Sequence, residues 1–449
     1  PGLTARGARP GADTALFYIR NKTFRYDLLA DTNLYPRGAF SRWYGSPGEH
    51  HTFEAYLSAS NWFATHPEYF AVDTRGKRSP VCSLFGSPAQ LCLTQPEVRR
   101  RVLERLREFI ARDRAEAALQ GVPPPRVYDI SQNDNSRFCQ CTNCQAVAAR
   151  EGGESGPLIE FINAVAEGIE PDYPDILVQT FAYGQTVQPP KILKPRANVL
   201  IRWCDTYGVA DLARPLTHPY NATNYACLRA WTRAAARLAV WDYWVFFSGL
   251  PQFPLPYTMV QCVGPDLKLF ADCGAVAFFA ESPSYTEAGE QFTALKFWLA
   301  YQLLVDPDQP AEPLMRTFLE GYYGRAAPPM AEYLAYLQTR IDREAGYRVM
   351  AAAPWNLAYL DPAFFQTADR LFDEAEARVP PDSPEARHVR RERFIADGAL
   401  LQLWPWLERN LADGERLPFD HEAVIRRYES NWRLYAKHYF HWFTIRQKG

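Results

Sequence analysis

The sequence predicts an α/β chain, a (β/α)8 TIM barrel followed by a helical C-terminal region. Eight short β-type runs alternate with helical stretches through the first 290 residues. After Gln291 the apolar period turns helical, and no convincing strands lie between the segments. The 449 residues, 47% of them hydrophobic, suffice for a core of barrel size plus an appended subdomain. The expected division is therefore residues 1–290 for a catalytic barrel and 291–449 for helices packed on it.

The β-type runs are Phe24 to Leu29, His51 to Phe53, Gln90 to Leu93, Val127 to Ser131, Ile176 to Phe181, Val199 to Trp203, Ala239 to Tyr243 and Ala275 to Ala280. Val127 to Ser131 is the clearest. The prolines at 123–125 block a helix upstream, Val127, Tyr128 and Ile130 favour extended chain, and Asn133, Asp134 and Asn135 mark the change to loop. Among the helices, Glu97 to Ala118 carries Val98, Val102, Leu103, Leu106, Phe109 and Ile110 on a helical period, and Gly156 to Ile169 follows the same rule. The arginines of the first of these, from Arg99 to Arg114, read as a solvated face. The later helices are Phe292 to Leu304, Leu314 to Tyr322, Met330 to Glu344, Pro362 to Ala377 and Pro384 to Leu411.

Charge and cysteine content narrow the function. No stretch approaches the roughly 18 uninterrupted apolar residues that a membrane span needs. A net charge of -2 without a long Lys/Arg run lacks the footprint of a nucleic-acid binder. The chain starts PGLTARG without an initiator Met, so a trimmed leader or upstream domain is expected. Nine cysteines are too few for a disulfide scaffold at this length, yet Cys139, Cys141 and Cys144 form a tight C-x-C-x-x-C. A disulfide to Cys204, Cys92 or Cys82 and free thiols are the leading readings. A zinc site completed by Cys204 or a His stands third.

In a barrel, chemistry sits at the C-terminal ends of the strands. There the sequence delivers Gln132, Asn133 and Asp134 from the fourth run, Tyr183 from the fifth, and Trp203 and Asp205 from the sixth. The seventh supplies Trp241, Asp242 and Tyr243, the eighth Glu281, and the second His51. Aromatic faces stack on the C–H faces of pyranose rings while carboxylates and amides bond hydroxyls, so the mixture suits a sugar site. Taken singly, Asn and Asp at a strand end are turn formers, and Trp203, Trp241 and Tyr243 are core residues. Strand alternation puts Trp241 and Tyr243 on one face and Asp242 on the other, so either the aromatics or the carboxylate point into the site.

Several motifs in order resemble a known family. SQNDN with the following C-x-C-x-x-C, HPEYFA at His66 to Ala71, LCLTQPEV at Leu91 to Val98, YPD at Tyr173 to Asp175 before ILVQTFAY, WDY at Trp241 to Tyr243 and GYYG at Gly321 to Gly324 are similar to the bacterial domain of unknown function 4838. Part of that group is glycoside hydrolase family 163. The resemblance implies a TIM-barrel endo-β-N-acetylglucosaminidase that cuts the chitobiose core of complex N-glycans, exported to the periplasm or cell surface. Two departures, no recognisable N-terminal α/β domain and a different segment from Trp43 to Ser60, bear on glycan specificity more than on reaction class.

Enzymes acting on N-acetylhexosamines can let the substrate's 2-acetamido oxygen attack the anomeric carbon, a retaining route without a protein nucleophile. In that scheme Asn133 orients the acetamide, Asp134 is the general acid, Tyr183 donates to the acetamide oxygen and Glu281 supports the reaction electrostatically. Trp203, Asp205, Trp241, Asp242, Tyr243 and His51 bind sugar. No organic cofactor and no metal is assigned to the reaction. Two alternatives stand beside it: an exo-hexosaminidase or α-glucuronidase-like barrel enzyme using two carboxylates, with Glu281 or Asp242 paired to Asp134, and a non-catalytic carbohydrate-binding protein.

Overall fold

Among the described residues, five of the β-type runs become strands, and they form one parallel sheet. The computed structural model describes residues 44–81, 86–205, 211–244, 255–281, 290–344, 357–412 and 414–439. Its strands are β1 (Val127–Asp129), β2 (Leu177–Ala182), β3 (Val199–Cys204), β4 (Leu238–Tyr243) and β5 (Ala275–Glu281), in spatial order β1-β2-β3-β4-β5. Near-continuous apolar runs such as VLIRWC suit parallel strands buried on both faces.

The closed eight-stranded TIM barrel is thereby corrected: the described residues hold a curled, five-stranded half-barrel. His51 takes a left-handed φ of 52°, which ends any extended run, and Phe53–Tyr56 is a helical turn. Gln90 to Leu93 makes a single antiparallel bridge, Leu91 to Phe70. Phe24 to Leu29 lies outside the described residues. β-Propensity measures how well side chains fit a pleated surface, and a run of three or four residues forms a strand only where a neighbour offers a free edge. Instead the Thr52 hydroxyl bonds the Asp129 carbonyl at the end of β1, and the Gln90 side chain bonds the Asn133 carbonyl on the loop beyond it. Tyr44 bridges Val127 at the β1 edge, and the N–H of Gly45 donates to the Val127 carbonyl at 2.8 Å. Only glycine fits there, because a Cβ would stand 2.2 Å from the Tyr128 ring.

Helices cover the outer face. After α1 (Pro96–Gln120) come α2 (Thr142–Glu151), α3 (Ser155–Ile169), α4 (Ala222–Ala234) and α5 (Val260–Asp272). Proline at the start of α1 and left-handed Gly121 at its end delimit the helix that the apolar period marks. Its Val98, Val102, Leu106 and Ile110 share one core with Leu158, Phe161 and Ile162 of α3 and with Tyr128, Val178, Ile201, Trp203 and Val240 of the sheet. Alternation leaves Asp129, Gln179, Phe181, Arg202, Trp241, Tyr243, Phe279 and Glu281 on the other, inner face.

Beyond Glu290 the described regular structure is helical: α6 (Thr293–Val305), α7 (Ala311–Tyr323), α8 (Ala327–Asp342), α9 (Pro362–Ala377), α10 (Pro384–Arg409) and α11 (His421–Tyr439). A buried polar seam ties these helices to the sheet. The Lys296 ammonium donates to the Trp244 carbonyl at 2.9 Å and pairs with Glu290. One turn away, Glu392 of α10 accepts the N–H of Phe292 at 2.9 Å, while its carbonyl accepts the Gln291 amide at 2.7 Å. Buried charges and amides need such partners, so the seam fixes how α6 and α10 dock.

Candidate functional site

The inner face of the sheet ends in two polar corners joined by aromatic rings. In the first corner stands Asp134, its side chain 65% exposed, on the loop after β1. The Tyr183 hydroxyl donates to Asp134 Oδ1 at 3.3 Å. Tyr183 is set by the turn that follows β2, where the Thr186 hydroxyl accepts its N–H. His51 backs Asp134. Its Nδ1–H donates to the Gln132 carbonyl at 2.8 Å, which selects the tautomer and leaves Nε2 facing Asp134 Oδ1 at 3.9 Å, beyond hydrogen-bond reach.

In the second corner Glu281 ends β5, and the Trp241 indole N–H donates to its Oε2 at 3.1 Å. Burial pushes the Glu281 carboxyl above the usual carboxylate range, opposed by that indole, and the charge of Asp134 adds to the rise. The His50 ring stands edge-on to Trp241 with centroids 5.7 Å apart. Burial, then the neighbouring His51, lowers the pKa of His50 and favours its neutral form. Phe181 joins the corners, with ring centroids 5.5 Å from His51 and 5.6 Å from Trp241.

Trp241 and Tyr243 are the pair that faces inward. Asp242 points the other way: its Oδ1 accepts the Tyr243 N–H and its Oδ2 the Trp244 indole at 2.9 Å. Burial pushes its pKa up to about 6 against those two donors. Trp203 also faces the helices, fully buried with its ring against Phe270 of α5. Asp205 is held by the Asn224 amide of α4 at 2.6 Å. Trp203, Asp205 and Asp242 therefore belong to the packing behind the sheet, because residue parity put them on the helix-covered side. Asn133 is likewise scaffold: it is buried, and its amide donates to the Ala89 carbonyl at 2.8 Å while Gln90 bonds its backbone on both sides.

Sequence reasoning passed over three inner-face residues. Arg202 is buried, lies 4.7 Å from the Trp241 ring centroid and pairs with Glu49 at 3.4 Å. Asp129 is buried beneath the first corner, accepting from Ser131, from Thr52 at 3.1 Å and from Gln179 at 2.7 Å. His50, overlooked for its neighbour, is the third. A lone charge inside an apolar strand, as in VYDI and VLIRWC, is the signal that could have found the first two.

Burial pushes the Asp129 pKa up to about 7, although Ser131, Gln179 and Arg202 oppose the rise. The unfolded value is about 3.9. A raised folded pKa means that the native state holds this proton more tightly, so the stabilisation is complete below about pH 4 and is lost as pH rises through about 7. At about 1.4 kcal/mol per unit the effect is on the order of 4 kcal/mol. Asp129→Asn keeps the neutral form throughout, and its melting temperature is expected to change less between pH 5 and pH 8 than the wild type's. Equal pH dependence in scanning calorimetry would show that Asp129 does not carry it.

A groove among the C-terminal helices, lined by Leu319, Arg325, Leu334 and Arg378, holds none of these residues. No described helix is long and apolar enough to cross a membrane. No curated protein matches the chain. The model of the family described as domain of unknown function (DUF4838) matches residues 8–335, a span that contains both corners of the site. The chain belongs to the DUF4838 family.

Proposed function

We propose that this protein is a glycoside hydrolase acting on β-N-acetylglucosaminides, and more narrowly an endo-β-N-acetylglucosaminidase of the family 163 kind that cuts the chitobiose core of complex N-glycans. The observation that carries the reading is the contrast between two carboxyl groups on one aromatic-lined face. Glu281 is half-buried, raised in pKa and held by the Trp241 indole, whereas Asp134 is open and touched by the Tyr183 hydroxyl. A half-buried carboxyl whose pKa is raised suits proton donation, and an open carboxyl beside a hydroxyl suits charge stabilisation.

The roles follow the proton positions. Glu281 protonates the leaving oxygen and then takes a proton from the incoming water. Asp134 accepts the acetamide N–H and stabilises the cation that forms as the acetamide oxygen attacks the anomeric carbon. Tyr183 donates to that acetamide oxygen, and Trp241 with Phe181 offers apolar surface to the sugar rings. Asn133 acts one step back, fixing the loop that carries Asp134. An enzyme of this kind works where glycoproteins are met, so the proposal includes export to the periplasm or cell surface.

Mass spectrometry of a complex-type N-glycoprotein after incubation with the protein tests the reading. Released glycans with one N-acetylglucosamine left on each asparagine are the expected result. Release of terminal monosaccharides alone would favour exo action, and binding without any release would favour a carbohydrate-binding protein.

A further inference from the structure

Four cysteines from two distant segments converge beside the Asp134 loop. Cys92 precedes α1, and Cys139, Cys141 and Cys144 lie on the loop after β1 and the first turn of α2. Their four Sγ atoms all lie within 4.8 Å of one another. Cys92 Sγ is 3.7 Å from Cys141 Sγ and 4.0 Å from Cys144 Sγ. A tetrahedral zinc ion with bonds of about 2.3 Å places its sulfurs about 3.8 Å apart, so the spacing matches a single ion. An iron–sulfur cluster sets its own atoms between the cysteines and would hold them wider. From this geometry we infer that Cys92, Cys139, Cys141 and Cys144 form a structural zinc site with four thiolate ligands.

The surroundings fit bound thiolates. The Val72 N–H donates to Cys139 Sγ at 3.4 Å and the Cys144 N–H to Cys141 Sγ at 3.5 Å, and the Thr94 hydroxyl lies 3.2 Å from Cys144 Sγ. Cys141 is also the N-cap of α2, so the positive end of the helix faces the cluster. Zinc binding displaces four thiol protons and leaves a complex of net charge -2, which these donors stabilise. Three of the four thiols are buried and Cys141 is half-buried, and N–H donors aimed at sulfur favour the thiolate form that binds metal. Cys204, the fourth ligand considered from sequence, lies at the end of β3, away from the cluster, and Cys82 lies outside the described residues.

The ion closes a clasp. Gln90, two residues before Cys92, bonds the Asn133 carbonyl at 2.7 Å and the Asn135 carbonyl at 2.9 Å. The loop after β1 is thus tied to the Cys92 segment by Gln90 hydrogen bonds on either side of Asp134 and, a few residues further on, by the metal at Cys139. The site holds that loop in place whatever reaction the protein performs.

Zinc content by inductively coupled plasma mass spectrometry of the full chain, purified without chelator, is the test. The expected result is one zinc per chain in the wild type and in a Cys273→Ser control, and below about a tenth of an equivalent in Cys92→Ser and Cys144→Ser. Should those variants fail to fold, titration of the wild type with an organomercurial in the presence of a zinc indicator reads the same site. One zinc should leave as four thiols react. Stripping with a strong chelator should lower the melting temperature and open residues 131–144 to proteolysis, with restoration on adding zinc. A wild type holding less than about a tenth of an equivalent after reduction, zinc incubation and desalting would overturn the inference. So would peptide mapping that finds these cysteines paired as disulfides.

Discussion

Glu281→Gln is expected to lower kcat for release of glycan from glycoprotein by about 10²–10⁴-fold, the range for losing a positioned general acid. The glutamine keeps the shape and can still accept from the Trp241 indole, so folding should be unaffected. The pH dependence distinguishes an acid from a binding residue. Glu281 is active as a donor when protonated, and burial with the nearby Asp134 raises its pKa, so wild-type kcat/KM should fall as pH rises through that pKa. The variant should lose this alkaline limb. An aryl chitobioside with a nitrophenol leaving group departs without a proton, and on it the deficit should shrink. Equal losses on both substrates would mean that Glu281 orients substrate and donates no proton.

Asp134→Asn is expected to lower kcat by about 10²–10³-fold with little change in KM, because the missing charge stabilises a cation that exists only after the acetamide attacks. Here the aryl substrate should bring no relief, since the attacking group is unchanged by a better leaving group. The side chain is 65% exposed and, among the described residues, its hydrogen bond is to the Tyr183 hydroxyl, so the melting temperature should stay within a degree or two of wild type. A loss relieved by the aryl leaving group would exchange the roles of the two carboxyl groups, and normal turnover would remove Asp134 from the mechanism. The two variants together thus separate proton donation from charge stabilisation.

The inner-face residues show why one part of the site was legible and another was not. Asp134, Tyr183 and Glu281 stood out because each follows an apolar run, and the end of a parallel strand is where a polar side chain is displayed without being buried. Trp203, Asp205 and Asp242 carry the same signal and face the helices instead. Which parity faces inward depends on which face of a strand the helices cover, and that is settled by packing between segments far apart in sequence. Asn133 failed for a related reason: its partners, Ala89 and Gln90, are more than 40 positions away.

The sequence by itself determined the elements whose signals are local. The apolar period, Pro at the first turn and Gly121 at the end specify α1, and the β-branched runs specify β1 to β5 within a residue or two. It also placed Asp134, Tyr183, Trp241 and Glu281, the residues of the two polar corners, at or just beyond the ends of β1, β2, β4 and β5. Only the tertiary structure decided that, among the described residues, the sheet is a five-stranded half-barrel: His51 to Phe53 turns into a helix and reaches β1 through the Thr52 side chain, and Gln90 to Leu93 makes a single bridge to Phe70. Only it brought Cys92 to the C-x-C-x-x-C, and Arg202 and Asp129 beneath the site. Closure, parity and ligand sets are relations between distant segments, and their free energy comes from burial and pairing that no window along the chain contains.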